Sequence, residues 1–163
     1  KACSDVVKMI MDSITHYMIK VNKLDKFVKE NLVSLRAKGM PIRLDQNKIS
    51  VGNTIIRKLD DETVRLNDPR NDQKLTMNFM FSALLLAKHI HDGLRPNTSI
   101  WNRILEYDRK LAKYSYESSF YANLMKKTKD ANKKDHYHSR LDHCQQAYMQ
   151  NMSELNQLNK WDC

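Results

Sequence analysis

Near the start of the chain the apolar residues fall into a three-four alternation. Val7, Ile10, Ile14, Tyr17, Val21, Leu24, Val28 and Leu35 keep it from about Ser4 to Lys38, with one break at Asn31. Residues three and four apart share a face of a helix. The spacing therefore predicts a long amphipathic helix, capped by Ser4 and turning one seam toward a partner. Lys20, Lys23, Lys26 and Lys29 lie off that seam.

Four further segments follow the same logic. About Asp45 to Leu66, Ile49, Ile56 and Leu59 share a helical face with Ile55 beside it, against the pull of Gly52 and the β-branched residues. About Asp72 to Asp92, the stripe Leu75, Phe79, Leu86 and Ile90 is widened by Met80, Leu84 and Leu85. That is the most apolar segment and predicts a central helix. The fourth begins at a cap on Thr98 or Ser99 and runs through Ile100, Ile104, Leu111, Tyr114, Tyr121 and Met125. The fifth, after the polar stretch 126–134, carries Tyr137, Leu141, Cys144, Tyr148, Met152, Leu155 and Leu158. No Gly or Pro parts the last two. One helix over 99–160 would be about 90 Å long at about 1.5 Å per residue, so two helices joined at Lys129–Asn132 are expected.

The breakers agree with this reading. Only 3 Gly and 3 Pro are present, and all but Gly52 cluster at Gly39-Met40-Pro41, Asn67-Asp68-Pro69 and Gly93 to Asn97. Sheets need many turns, and turns favour these residues, so their scarcity argues for helix. The expected fold is all-α, one domain over 1–163: a bundle of about five helices whose antiparallel neighbours are joined by short loops. With 41% hydrophobic and 29% charged residues, the chain does not have the composition of a disordered one. The longest apolar run, Ala83 to Ala87, is far below the roughly 18 residues of a membrane span, so none is expected.

Charge adds a prior on partners. The net charge is +9, spread along the chain, and it favours anions. The densest cluster is Lys126, Lys127, Lys129, Lys133, Lys134 and Arg140, six cations against Asp130 and Asp135. Such a cluster can grip sulfate or phosphate oxygens, and it is the candidate binding site. No aromatic residue interleaves the lysines from 126 to 134, so a base-stacking surface for nucleic acid is not indicated. The competing reading is a solvated connector.

Chemistry beyond charge is sparse. Cys3, Cys144 and Cys163 form no Cys-x-x-Cys pair, which argues against structural zinc. Parallel first and fifth helices would bring Cys3 nearer Cys144, so Cys3–Cys144 is the expected disulfide, in an oxidising compartment. Asn97-Thr98-Ser99 and Asn151-Met152-Ser153 match the glycosylation pattern, Asn97 in a loop and Asn151 on a helix. His89/His91 and His136/His138 are spaced i, i+2, which splits them between helix faces, and only Asp135 and Asp142 flank His138 suitably for a metal. Asp60-Asp61-Glu62 reads as a solvated helix face. No nucleophile elbow or phosphate loop is present, so no catalytic residue, metal or cofactor is expected. The nine methionines, among them Met9, Met11, Met18, Met77 and Met80, read as ordinary core filler, with an apolar pocket as the alternative.

The expected function is binding: a secreted helical effector engaging a protein or an anionic glycan. By architecture alone it compares with cytokine-like ligands and the helical salivary proteins of blood-feeding arthropods. The alternatives are a helical carrier of an apolar small ligand and an intracellular, cytoplasmic nucleic-acid or scaffold module. The oligomeric state is left open.

Overall fold

From Ile42 onward buried and more exposed residues alternate with period two, which is the pattern of strands covered on one face. The structure, a computed structural model, describes Val33, Arg36, 41–45, 48–59 and 63–158. Five strands come first: β1 Ile42–Asp45, β2 Lys48–Val51, β3 Thr54–Lys58, β4 Val64–Asp68 and β5 Gln73–Met77. They form one antiparallel sheet in the order β1-β2-β3-β4-β5. Three helices follow: α1 Met80–His91, α2 Ser99–Lys127 and α3 Ala131–Gln157. The architecture is therefore α+β, and the all-α bundle of five helices expected from the sequence is wrong.

The error has a physical source in the segment 45–66. Ile49 and Ile56 are seven apart, which satisfies two helical turns. They are also direct cross-strand partners in the β2–β3 hairpin, so the same spacing serves a sheet. Gly52 opens the two-residue loop of that hairpin with φ +59, the glycine position of a type II′ turn. A Cβ there would also come within 2.5 Å of the His91 ring. The β4–β5 turn uses Asn and Asp beside Pro69. Asp72 takes φ 50 between β4 and β5, and buried Asp68 accepts hydrogen bonds from Arg70 N at 3.2 Å and from the Asn71 amide. Few glycines and prolines were needed. The expected helix over 72–92 likewise divides: 73–77 is β5, and only 80–91 is helical. Apart from Val33 and Arg36, both helical, the expected helix 4–38 lies outside the described residues.

On the covered face of the sheet stand Ile42, Ile49, Val51, Ile56, Val64, Leu66 and Met77, all at most 1% exposed. α1 lies across β2–β5 on that side and also meets α2. It is buried nearly all round, from Phe81 to Ile90, as a helix caught between two layers must be. The Arg70 guanidinium reaches the Ile90 carbonyl at 3.1 Å, tying the β4–β5 turn to the end of α1.

The start of α1 is completed from elsewhere. Phe79, its N-cap, has no capping side chain, and its first turn holds no acid. Asp108 of α2, 4% exposed, supplies both: its carboxylate accepts Asn78 N at 2.8 Å, Asn78 Nδ2 at 3.0 Å and Phe79 N at 3.1 Å. These half-buried donors would otherwise lack a protein partner, and the negative charge faces the positive end of the helix. Burial nevertheless pushes the Asp108 carboxyl above its ordinary range, against those hydrogen bonds.

α2 and α3 are antiparallel and make an arm, about 43 Å and 40 Å long at about 1.5 Å per residue. Its base joins the core through Trp101, Ile104, Leu111, Tyr148, Met152 and Leu155, and the His89 ring bonds the Leu158 carbonyl at 2.8 Å. Beyond Leu111 and Tyr148 the seam thins to Ser118, Cys144, half-buried Leu141 and the Tyr121–Tyr137 ring pair, 6.3 Å apart. Among the described residues no helix is long and apolar enough to cross a membrane.

Candidate anion-binding surfaces

The apex of the arm is built by a three-residue connector, Thr128 to Asp130. Asp130 caps α3: its carboxylate accepts Asn132 N at 2.9 Å and Lys133 N at 3.4 Å. One of the two acids in the lysine cluster is thus engaged with the backbone. Lys126, Lys127, Lys129, Lys133 and Lys134 are all exposed around it, on the last turn of α2, the connector and the first turn of α3. Arg140 does not join them. It lies further down α3, with its guanidinium 5.9 Å from the centre of the Tyr121 ring, a cation–π contact.

The structure also presents a cationic surface that the linear reading missed. On the outer face of the sheet, register places Asp45, Lys48, Arg57, Arg65 and Thr76 in one row across the strands. Arg43, Ser50, Ile55, Asn67 and Lys74 form the next row. Arg43, Arg57, Arg65 and Lys74 are exposed, and Lys48 is half-buried. Between residues 42 and 77 seven cations nearly balance six acids, so the sequence average is close to neutral. Among the described residues, folding sorts them: five cations share the outer face with Asp45, while Asp68 is buried at the end of β4 and Asp72 stands in the β4–β5 turn; Asp60, Asp61 and Glu62, expected as a solvated helix face, lie outside the described residues. The signal was the alternation in Lys48-Ile49-Ser50-Val51 and Val64-Arg65-Leu66.

The other expectations resolve as follows. The Cys144 thiol is free and 2% exposed, and it donates to Glu117 Oε2 at 3.4 Å. The Cys3–Cys144 disulfide is therefore a correction: Cys144 faces α2, with Glu117 as its partner, and Cys3 and Cys163 lie outside the described residues. Burial first, and then Glu117, push the thiol above its ordinary range. Asn97 is exposed, in the loop before α2 at φ 64. Asn151 is 9% exposed and its amide donates to the Ala147 carbonyl at 2.7 Å, which leaves no room for a glycan. His136, His138 and Asp142 are exposed, and Asp142 accepts from Gln146 at 3.1 Å. Among the described residues no group of three His, Cys, Asp or Glu can hold a metal. An open groove of about 530 Å³ runs along the start of α2, and Arg103, Glu106, Tyr107 and Lys110 are among its lining. Glu106 is already paired with Arg109 and lies 3.9 Å from Lys110. Met77 is core, and Met9, Met11 and Met18 lie outside the described residues.

No protein-family model, no characterised protein and no solved structure matches this chain.

Proposed function

We propose that this protein acts by binding an anionic partner, a glycan or an acidic protein, through the lysine-rich apex of the α2–α3 arm. One observation carries the reading: five lysines are exposed at the tip of the helix pair, about 24 Å beyond Leu111 where the arm leaves the core, while Asp130 is engaged in capping. An anion approaching the apex meets cations held away from the body, and Asp135 is the one acid left in the cluster. Lysine suits this role, since it acts as a hydrated point charge and needs no fixed geometry. The reading places the protein outside the cell, supported by an accessible acceptor at Asn97.

The test is chromatography on immobilised heparin with a rising salt gradient. The wild type is expected to bind and to elute later than a variant with Lys126, Lys127, Lys129, Lys133 and Lys134 changed to Gln. Losing these contacts should weaken binding about tenfold or more at low salt. Equal elution of the two would defeat the apex as the site.

A further inference from the structure

We infer that the outer face of the five-stranded sheet is a second polyanion site, shaped for an extended sulfated polysaccharide. The inference rests on the reading above that the partner is polyanionic, and it adds a place and a chemical class.

The geometry is that of a flat ledge. Neighbouring strands lie about 4.8 Å apart, so Lys48, Arg57 and Arg65 make a straight line of three cations across β2, β3 and β4. Arg43 and Lys74 stand at the two edge strands in the adjoining row, two residues along, about 6.7 Å away. Arg57 and Arg65 are direct cross-strand partners. Like charges in that position disfavour folding, and among the described residues no acid of this face lies beside them to relieve it. An anion between the two guanidinium groups would relieve it, and Arg offers paired donors to sulfate oxygens. Ser50, Asn67 and Thr76 set short polar groups among the cations, able to exchange hydrogen bonds with sugar hydroxyls.

Nucleic acid fits less well. Five strands span about 19 Å, too wide for a major groove of about 12 Å, which admits a two-stranded ribbon. Single strands are held by bases stacked on aromatic rings, and neither row contains one. A sulfated polysaccharide needs no stacking platform. Its charges hang along a chain that can lie across the ledge.

The experiment compares the full-length wild type, an Arg57→Gln/Arg65→Gln/Lys74→Gln variant and the five-lysine apex variant. Each is titrated with heparin, with desulfated heparin and with single-stranded DNA and RNA oligonucleotides at roughly 0.15 M salt. The sheet variant is expected to bind heparin about tenfold or more weakly, with a shallower salt dependence and a thermal midpoint at or above that of the wild type. Desulfated heparin should bind the wild type weakly. Loss in the apex variant alone would overturn the sheet site and leave the proposed function standing. Loss in the sheet variant alone would support the ledge and overturn the apex. No heparin binding by the wild type would overturn both. Oligonucleotide binding tighter than heparin, and lost in the sheet variant, would overturn the glycan assignment. If the sheet variant misfolds, arginine modification with phenylglyoxal on the wild type decides: heparin must shield Arg57 and Arg65, and equal labelling with and without it would refute the site.

Discussion

The sheet and the arm carry cationic surfaces of similar net charge, made in different ways. At the apex five lysines and two acids follow one another in the chain, and the net of +3 can be read from the sequence. On the outer sheet face five cations and one acid among the described residues leave +4, but they come from five strands. The chain that supplies them, 42–77, is nearly neutral. A helix hairpin preserves local charge density, whereas a sheet segregates alternate residues to opposite faces. A run of like charge is therefore a poor guide to the surface of a β-protein.

The two regions also differ in how firmly they are held. Ile56 sits in the central strand at 0% exposure, and Ile56→Ala should cost about 3 kcal/mol through lost burial and a residual cavity. Tyr121, half-buried on the distal arm, should cost only about 1 kcal/mol on the same change. Urea midpoints of the two variants measure the contrast, and equal losses would erase it.

Asp108 joins the two regions, so its removal tests whether they are separate. Asp108→Ala strands Asn78 N, Asn78 Nδ2 and Phe79 N, at a cost of about 2–3 kcal/mol in denaturant unfolding. The pH dependence has a definite sign. The carboxyl is raised above 3.8, so the stability linked to its protonation is present below that pH and lost as pH rises through the folded value. Asp108→Asn does not titrate. The wild-type stability minus that of Asp108→Asn should therefore fall as pH is raised from below 3.8 toward neutrality. A constant difference would refute the raised pKa.

The smallest effect is the most telling for the sheet. Arg57→Glu replaces a like-charge cross-strand pair with an opposite one against Arg65, and should stabilise the fold by about 0.2–1 kcal/mol. It should at the same time weaken heparin binding. Thermal melting and heparin titration of this one variant must move in opposite directions if the face is a binding ledge. Parallel losses would mark Arg57 as merely structural.

The arm was legible because its pattern was local. Ile104, Leu111, Tyr148, Met152 and Leu155 keep helical spacing and are buried in α2 and α3, and the chain does turn at Thr128–Asp130. The sheet was obscured by two coincidences. The seven-residue hairpin repeat from Ile49 to Ile56 imitates a heptad, and the β4–β5 turn is made mostly by Asp68, Asn71 and Asp72, without glycine. The β-branched run and the alternating cations carried the opposite message. Asp108 was invisible as a cap, because its partners lie some thirty positions away.

Asp108 also decides where the molecule can be divided. The loop 92–98 is an exposed stretch with Gly93 and Pro96, the natural place to expect a protease or a designer to cut. A cut there would not yield two independent pieces. The fragment before it would keep a helix whose start needs a carboxylate from the fragment after it, and whose His89 ring holds the Leu158 carbonyl of that fragment. The two halves would remain one particle, severed in sequence and whole in shape.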